Sequence, residues 1–286
     1  MKFRKNLLTQ VVAIALCGAF VSSASAASFT ITDGAGTSAN IDDAGYFNST
    51  GLGLSYLGRE FVNHGTFASN YSLNANGASV AIADEAAGNN PLGASILFGG
   101  GNVVLTASFG GAWGFTETVS VTAPGHVAVQ IQLTNMTGAT ATDVQWGVGI
   151  DPDQGVPVGL GFGTTNVINA TGNAASVTAT SLDGWSLTLA NTTGAAASAI
   201  NPYIDPANCC LPVDPALMLA AAQAPGDYGF GDNSINLAYD LGSIASQQSV
   251  TFGYEYIMAV PEPETYAMLL AGLGLIGFSA RRRMQG

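Results

Sequence analysis

Between Phe115 and Thr134 two runs alternate side-chain character, Phe115-Thr-Glu-Thr-Val-Ser-Val-Thr122 and Val127-Ala-Val-Gln-Ile-Gln-Leu-Thr134, and Ala123-Pro124-Gly125-His126 separates them. A period of two fits a β-strand with one covered face, because successive side chains of an extended chain point to opposite sides. The intervening residues suit a hairpin turn: proline presets its own φ, and glycine tolerates the left-handed region. In the second run Val127, Val129, Ile131 and Leu133 face a core, while Gln130, Gln132 and Thr134 face out. Slipping the pairing by one residue would bury the glutamines, so the register is strongly set.

Similar texture runs from about residue 28 to 259, where short β-prone runs are punctuated by Gly, Asn, Asp and Pro. That punctuation marks many strands and turns. Predicted strands are Ser28–Thr32, Ser79–Ala83, Ser95–Phe98, Asn102–Phe109, Phe115–Thr122, His126–Thr134 and Asp143–Ile150. Later ones are Thr164–Asn169, Ala175–Thr180, Trp185–Ala190, Ser234–Asp240 and Ser249–Met258. One helix is predicted over Pro215–Gln223, with proline in its first turn and Pro225-Gly226 beyond its end. No repeat period of a solenoid or propeller stands out. The expectation is all-β: a large antiparallel β-sandwich of roughly a dozen strands over residues 27–259.

The two ends carry different signals. Met1-Lys2-Phe3-Arg4-Lys5 is basic, Leu7 to Val21 is mostly apolar, and Ala24-Ser25-Ala26 offers small residues for cleavage before Ala27. Residues 1–26 therefore read as a secretory signal peptide. Cys17 follows Leu16 rather than a small residue, which argues against a lipid-accepting cysteine. At the other end, Val260-Pro261-Glu262-Pro263-Glu264 precedes an uncharged run from Thr265 to Ala280 and then Arg281-Arg282-Arg283. The prolines at 261 and 263 hold the first part extended and outside a helix. Residues 265–280 would make about 24 Å of helix, short for a bilayer core of about 30 Å and completed by snorkelling arginines. Three arginines on one side place that end in the cytoplasm and the rest of the chain outside.

This order of Pro-Glu-Pro, apolar helix and basic cluster resembles the PEP-CTERM sorting signal of exported Gram-negative bacterial proteins. The resemblance covers residues 260–286 and implies processing near Pro261-Glu262-Pro263 by an exosortase, a membrane cysteine transpeptidase. It also implies retention at the inner membrane on the periplasmic side, followed by a destination at the cell surface or in an exopolysaccharide matrix. Three further strings, Leu133-Thr-Asn-Met-Thr137, Asp143 to Gln154 with its Asp-Pro-Asp-Gln ending, and Leu241 to Phe252, look like β-sandwich domains of exported bacterial proteins. By analogy, that likeness implies a sandwich of the carbohydrate-active supersandwich or jelly-roll-like kind and leaves the ligand open.

Charge narrows the partners. Of seven Lys and Arg residues only Arg59 lies between the two end signals, against 17 Asp and Glu, so the body carries about −16. Nucleic acid is excluded as a partner, since neutralising phosphate takes Lys and Arg. Strong acidity suits solubility, a surrounding of divalent ions, or avoidance of anionic polysaccharide.

Catalytic chemistry is thinly supplied. His64 and His126 sit in turn-like contexts without a nucleophile pattern. Glu60, Glu117 and Glu255 are the separated carboxylates from which a glycosidase pair would have to come. Trp113, Trp146 and Trp185 can stack on sugar rings or fill a core. Asp151 and Asp153 flank Pro152; with Gln154 and main-chain carbonyls they suit either a calcium shell or an ordinary capped turn. Gly155-Val-Pro-Val follows them in place of an EF-hand continuation. Cys209 and Cys210 are the cysteines left after export, and their state stays open between a vicinal disulfide, an intermolecular pair and two thiols. Zinc lacks further nearby ligands.

The expected protein is thus exported, non-enzymatic and exosortase-processed, without a cofactor unless calcium. Its expected partners are the secretory machinery, the exosortase, the inner membrane and extracellular polysaccharide. The alternative on the same sandwich is a carbohydrate-active enzyme, hydrolase or lyase, or a sugar-binding module.

Overall fold

The structure is a computed structural model, and it describes residues 28–42, 45–47, 53–62, 69–84, 95–99, 102–194, 197–206, 208–210, 212–261 and 270–273. Its strands are β1 (Ser28–Thr32), β2 (Thr37–Asp42), β3 (Leu54–Tyr56), β4 (Arg59–Glu60), β5 (Ser69–Ala75) and β6 (Ala78–Asp84). They continue as β7 (Ser95–Gly99), β8 (Asn102–Phe109), β9 (Trp113–Ala123), β10 (His126–Asn135), β11 (Ala141–Ile150) and β12 (Thr164–Ala170). The last are β13 (Ser176–Thr180), β14 (Ser186–Asn191), β15 (Ala199–Asp205), β16 (Gly226–Gly231), β17 (Ser234–Ile244) and β18 (Ser249–Ala259), with helix α1 at Pro215–Ala220.

These strands form antiparallel sheets of nine, five and four strands. The nine-stranded sheet runs β16-β12-β13-β14-β18-β10-β9-β8-β7, the five-stranded one β15-β17-β11-β5-β6, and the smallest β1-β2-β3-β4. The two larger sheets face each other across an aromatic core. Trp146 of β11 stacks on Tyr71 of β5 at 5.2 Å and on Phe115 of β9 at 5.5 Å, and meets Phe252 of β18 edge-on at 5.8 Å. The four-stranded sheet packs against the nine-stranded one: β3 touches β18, β2 touches β9, and Phe47, bridged to β2, meets the inward-facing Tyr256 of β18 edge-on at 5.1 Å.

The hairpin expected from the alternation is present. In β10, Val127, Val129, Ile131 and Leu133 are each at most 1% exposed, and Gln130 and Gln132 lie on the exposed face. Gly125 in its turn has φ +78, and a Cβ there would overlap the Met258 carbonyl oxygen, so glycine is required on two counts. The Leu133–Thr137 and Leu241–Phe252 strings meet at Asn135, fully buried at the end of β10. Its Nδ2 donates to the carbonyls of Ala139 and Ile244, and its Oδ1 accepts from Thr137 N and Oγ1. One amide thereby ties the β10 exit to the end of β17.

The structure departs from the sequence reading in three respects. Strands β2, β3, β4, β5, β15 and β16 were not predicted, and the architecture adds a third sheet to the expected sandwich. Strand β5, Ser-Asn-Tyr-Ser-Leu-Asn-Ala, reads as polar yet is buried throughout, because α1 and the segment before it cover its outer face. There Ser72 Oγ donates to Val213 O and Asn74 Nδ2 to Asp214 Oδ1. Helix α1 stops at Ala220 instead of Gln223. The Gln223 amide leaves the helix to pair with β15, accepting from Ile204 N and donating to Ile204 O.

Candidate functional site

Strand β11 ends at Ile150, and the chain then turns through Asp151-Pro152-Asp153-Gln154 beneath the small sheet. Asp153 N donates to Phe61 O at 2.6 Å, and Val156 N donates to Asp153 O. Gln154 Nε2 donates to Ala179 O and Trp185 O, while Gln154 O accepts from Arg59 Nη1 at 2.7 Å. The same guanidinium donates to Asp183 Oδ2 at 2.7 Å and lies 4.5 Å from the centroid of Trp185. Burial alone would lift the Asp183 carboxyl, but hydrogen bonds from Ser181 and Arg59 outweigh it and hold the group below its ordinary value. The single cation of the body is thus engaged in fixing the loop's backbone.

The loop's carboxylates are held differently. Asp151 and Asp153 are buried, and an oxygen of each lies within 4.8 Å of an oxygen of Asp232, an exposed residue in the turn between β16 and β17. Asp151 Oδ1, both oxygens of Asp153 and Gln154 Oε1 are buried without a hydrogen-bond partner. Leaving a buried acceptor unmatched costs about 1–3 kcal/mol, more when it is charged. Burial, then the charge of Asp232, pushes the Asp151 carboxyl well above its usual range. Burial followed by Asp151, Asp232 and Glu60 does the same to Asp153. Such an oxygen cluster can bind a hard cation or keep its protons. Sequence reasoning named Asp151 and Asp153 and missed Asp232, a lone aspartate far along the chain with no local pattern to single it out.

Beside this cluster Cys209 and Cys210 are joined in a vicinal disulfide, one of the three states left open by the sequence. Cys210 Sγ lies 3.5 Å from Asp151 Oδ2, and a disulfide sulfur has no proton to donate there. The sulfurs are equally not thiolate ligands for a soft metal.

The glutamates are not brought together. Glu60 is buried, with Oε1 accepting from Val62 N. Glu117 points into the core from the inner face of β9, whereas Glu255 lies on the opposite, outer face of the same sheet. There Glu255 Oε1 is 3.2 Å from His126 Nδ1 and accepts from Thr122 Oγ1. Glu117 breaks the apolar alternation read for its strand; burial and then Asp42 raise its pKa to about 8. Trp113 and Trp146 are core residues, and Trp185 is half-buried under Arg59. Among the described residues the exposed aromatics are instead Phe162, Tyr228 and Phe230, two of them on the edge strand β16.

Pro261 is the last described residue before a short helical stretch, 270–273, within the predicted membrane helix 265–280. Ala24, Ala26, His64, Glu262, Pro263, Arg281, Arg282, Arg283 and the remainder of 265–280 lie outside the described residues. Among the described residues no helix is long and apolar enough to cross a membrane.

Residues 259–283 match the PEP-CTERM protein-sorting motif. No curated protein matches the sequence. Among solved structures, the chain is similar to heparan sulfate lyase HepC from Pedobacter heparinus at 11% identity and a TM-score of 0.42, covering 82% of this chain and 35% of the lyase. It is similar to a heparinase III gene product at 7% identity and a TM-score of 0.37, covering 66% of this chain and 23% of the other. A polysaccharide lyase gives 14% identity and a TM-score of 0.36, over 68% of this chain and 26% of that one. The chain thus spans about a quarter to a third of the length of these proteins.

Proposed function

We propose, starting from a chain that carries a PEP-CTERM sorting motif at residues 259–283, that the β-sandwich is a non-enzymatic surface or matrix body released by an exosortase. The observation that carries this reading is the junction itself: β18, a central strand of the nine-stranded sheet, ends at Ala259, where the motif begins. Among the described residues no strand follows β18, so cutting at the signal removes none of the described strands. The sequence Pro261-Glu262-Pro263 favours an extended backbone, the geometry a processing enzyme grips, because each proline fixes its own φ and biases the residue before it.

Association with exopolysaccharide is supported by the outer face of the nine-stranded sheet. A groove of about 390 Å³ there is lined by Thr118, Ser120, Gln130, Thr192, Thr193 and Thr251. Hydroxyl and amide side chains of this kind pair with sugar hydroxyls without bringing in a charge.

Intact-mass analysis of protein recovered from the surface of cells expressing an exosortase tests the reading. It should begin at Ala27 and lack everything past the Pro-Glu-Pro motif, whereas the Pro261→Ala/Pro263→Ala variant should stay membrane-bound and uncut. A mature surface protein that still ends at Gly286, or turnover of polysaccharide by the purified protein, would overturn it.

A further inference from the structure

The cluster of Asp151, Asp153 and Asp232 is chemically one-sided. Four buried atoms around it lack a hydrogen-bond partner: Asp151 Oδ1, Asp153 Oδ1, Asp153 Oδ2 and Gln154 Oε1. All four are oxygens, and all are acceptors. Asp153 is completely buried, and its carboxylate belongs to the group whose oxygens lie within 4.8 Å of one another. Arg59 engages Gln154 O, Asp183 and the Trp185 ring. The neighbouring sulfur, Cys210 Sγ, is oxidised and donates nothing.

We infer that Asp151, Asp153 and Asp232 bind one calcium ion, which pins the end of β11 to the turn between β16 and β17. Three carboxylates converging on one point repel each other, and a divalent cation between them converts that repulsion into attraction. Calcium fits the donors better than the common rivals. It takes six to eight oxygens in flexible geometry, and the exposed side of Asp232 leaves room for water to complete the shell. Magnesium holds its own waters in a strict octahedron and is poorly matched to two fully buried carboxylates. Zinc prefers nitrogen and thiolate ligands, and the sulfurs within reach are tied to each other. The inference does not depend on how the C-terminus is processed.

Calcium titration of the full-length chain, purified in a non-ionic detergent and stripped with EGTA, decides it. Calorimetry should show one calcium per chain, and the melting temperature should rise by about 5 °C or more at calcium roughly a hundredfold above its Kd. Asp232→Asn changes the exposed ligand and so spares the fold; it should weaken calcium binding by about tenfold or more. Asp227→Asn, on exposed β16, should leave binding unchanged. Absence of calcium binding in the parent chain, equal affinity in Asp232→Asn, or zinc binding that appears on reducing Cys209–Cys210 while calcium gives none would each overturn the assignment.

Discussion

At the residue scale, Glu117 is an exacting position in the core. Its Oε2 is buried without a partner, and it packs against Gly45, where a Cβ would come within 2.6 Å of that oxygen. Gly45 also has φ +83, so both space and backbone call for glycine. Burial, then Asp42, lifts the Glu117 pKa from 4.5 to about 8. Between those values the unfolded chain gives up a proton that the native state keeps, so this group's contribution to stability falls as pH rises, by up to about 1.4 kcal/mol per unit. Glu117→Gln keeps the shape and removes the titration. Its stability relative to the parent should therefore climb between pH 5 and pH 8 in urea melts; a pH-independent difference would sink the argument. Little of this was legible beforehand. An alternating Thr-Glu-Thr places the glutamate on the inner face by period alone, but what surrounds it comes from β2 and the turn after it, distant in sequence.

At the scale of elements, the hairpin β9–β10 shows where a linear pattern suffices. β10 pairs with β9 on one side and β18 on the other, so both its edges are satisfied and its faces are set by parity. Ile131→Ala should cost about 2–5 kcal/mol by leaving a cavity between the sheets, whereas Gln132→Ala, one residue on, should stay within about 0.5 kcal/mol. Equal losses at the two positions in chemical denaturation would contradict the register. β5 shows the opposite case. Its Asn70, Ser72 and Asn74 are buried although nothing in their own segment marks them as interior. Two of them bond to residues 213 and 214, and such partners are invisible to a reading that works window by window. Gln223 is similar: its helix-compatible sequence yields to an amide that completes β15.

For the whole molecule, the folded body and its sorting tail divide at Ala259. Because no strand lies beyond that point among the described residues, the processed protein should unfold at the same temperature as the full chain in one detergent buffer, within about 2 °C. A markedly lower melting point after processing would show that the tail braces the sandwich. The sequence by itself determined the features whose physics is local: the Pro-Glu-Pro motif, the all-β character, and twelve strands whose apolar period or turn residues sit in their own few positions. Tertiary structure decided the rest: the third sheet, the burial of polar β5, the core role of Trp146, and the meeting of Asp232 with Asp151 and Asp153. Each of these depends on what comes to lie against a segment from elsewhere in the chain. Burial, hydrogen-bond partners and the separation of charges are properties of that assembled neighbourhood, and no stretch of sequence holds them alone.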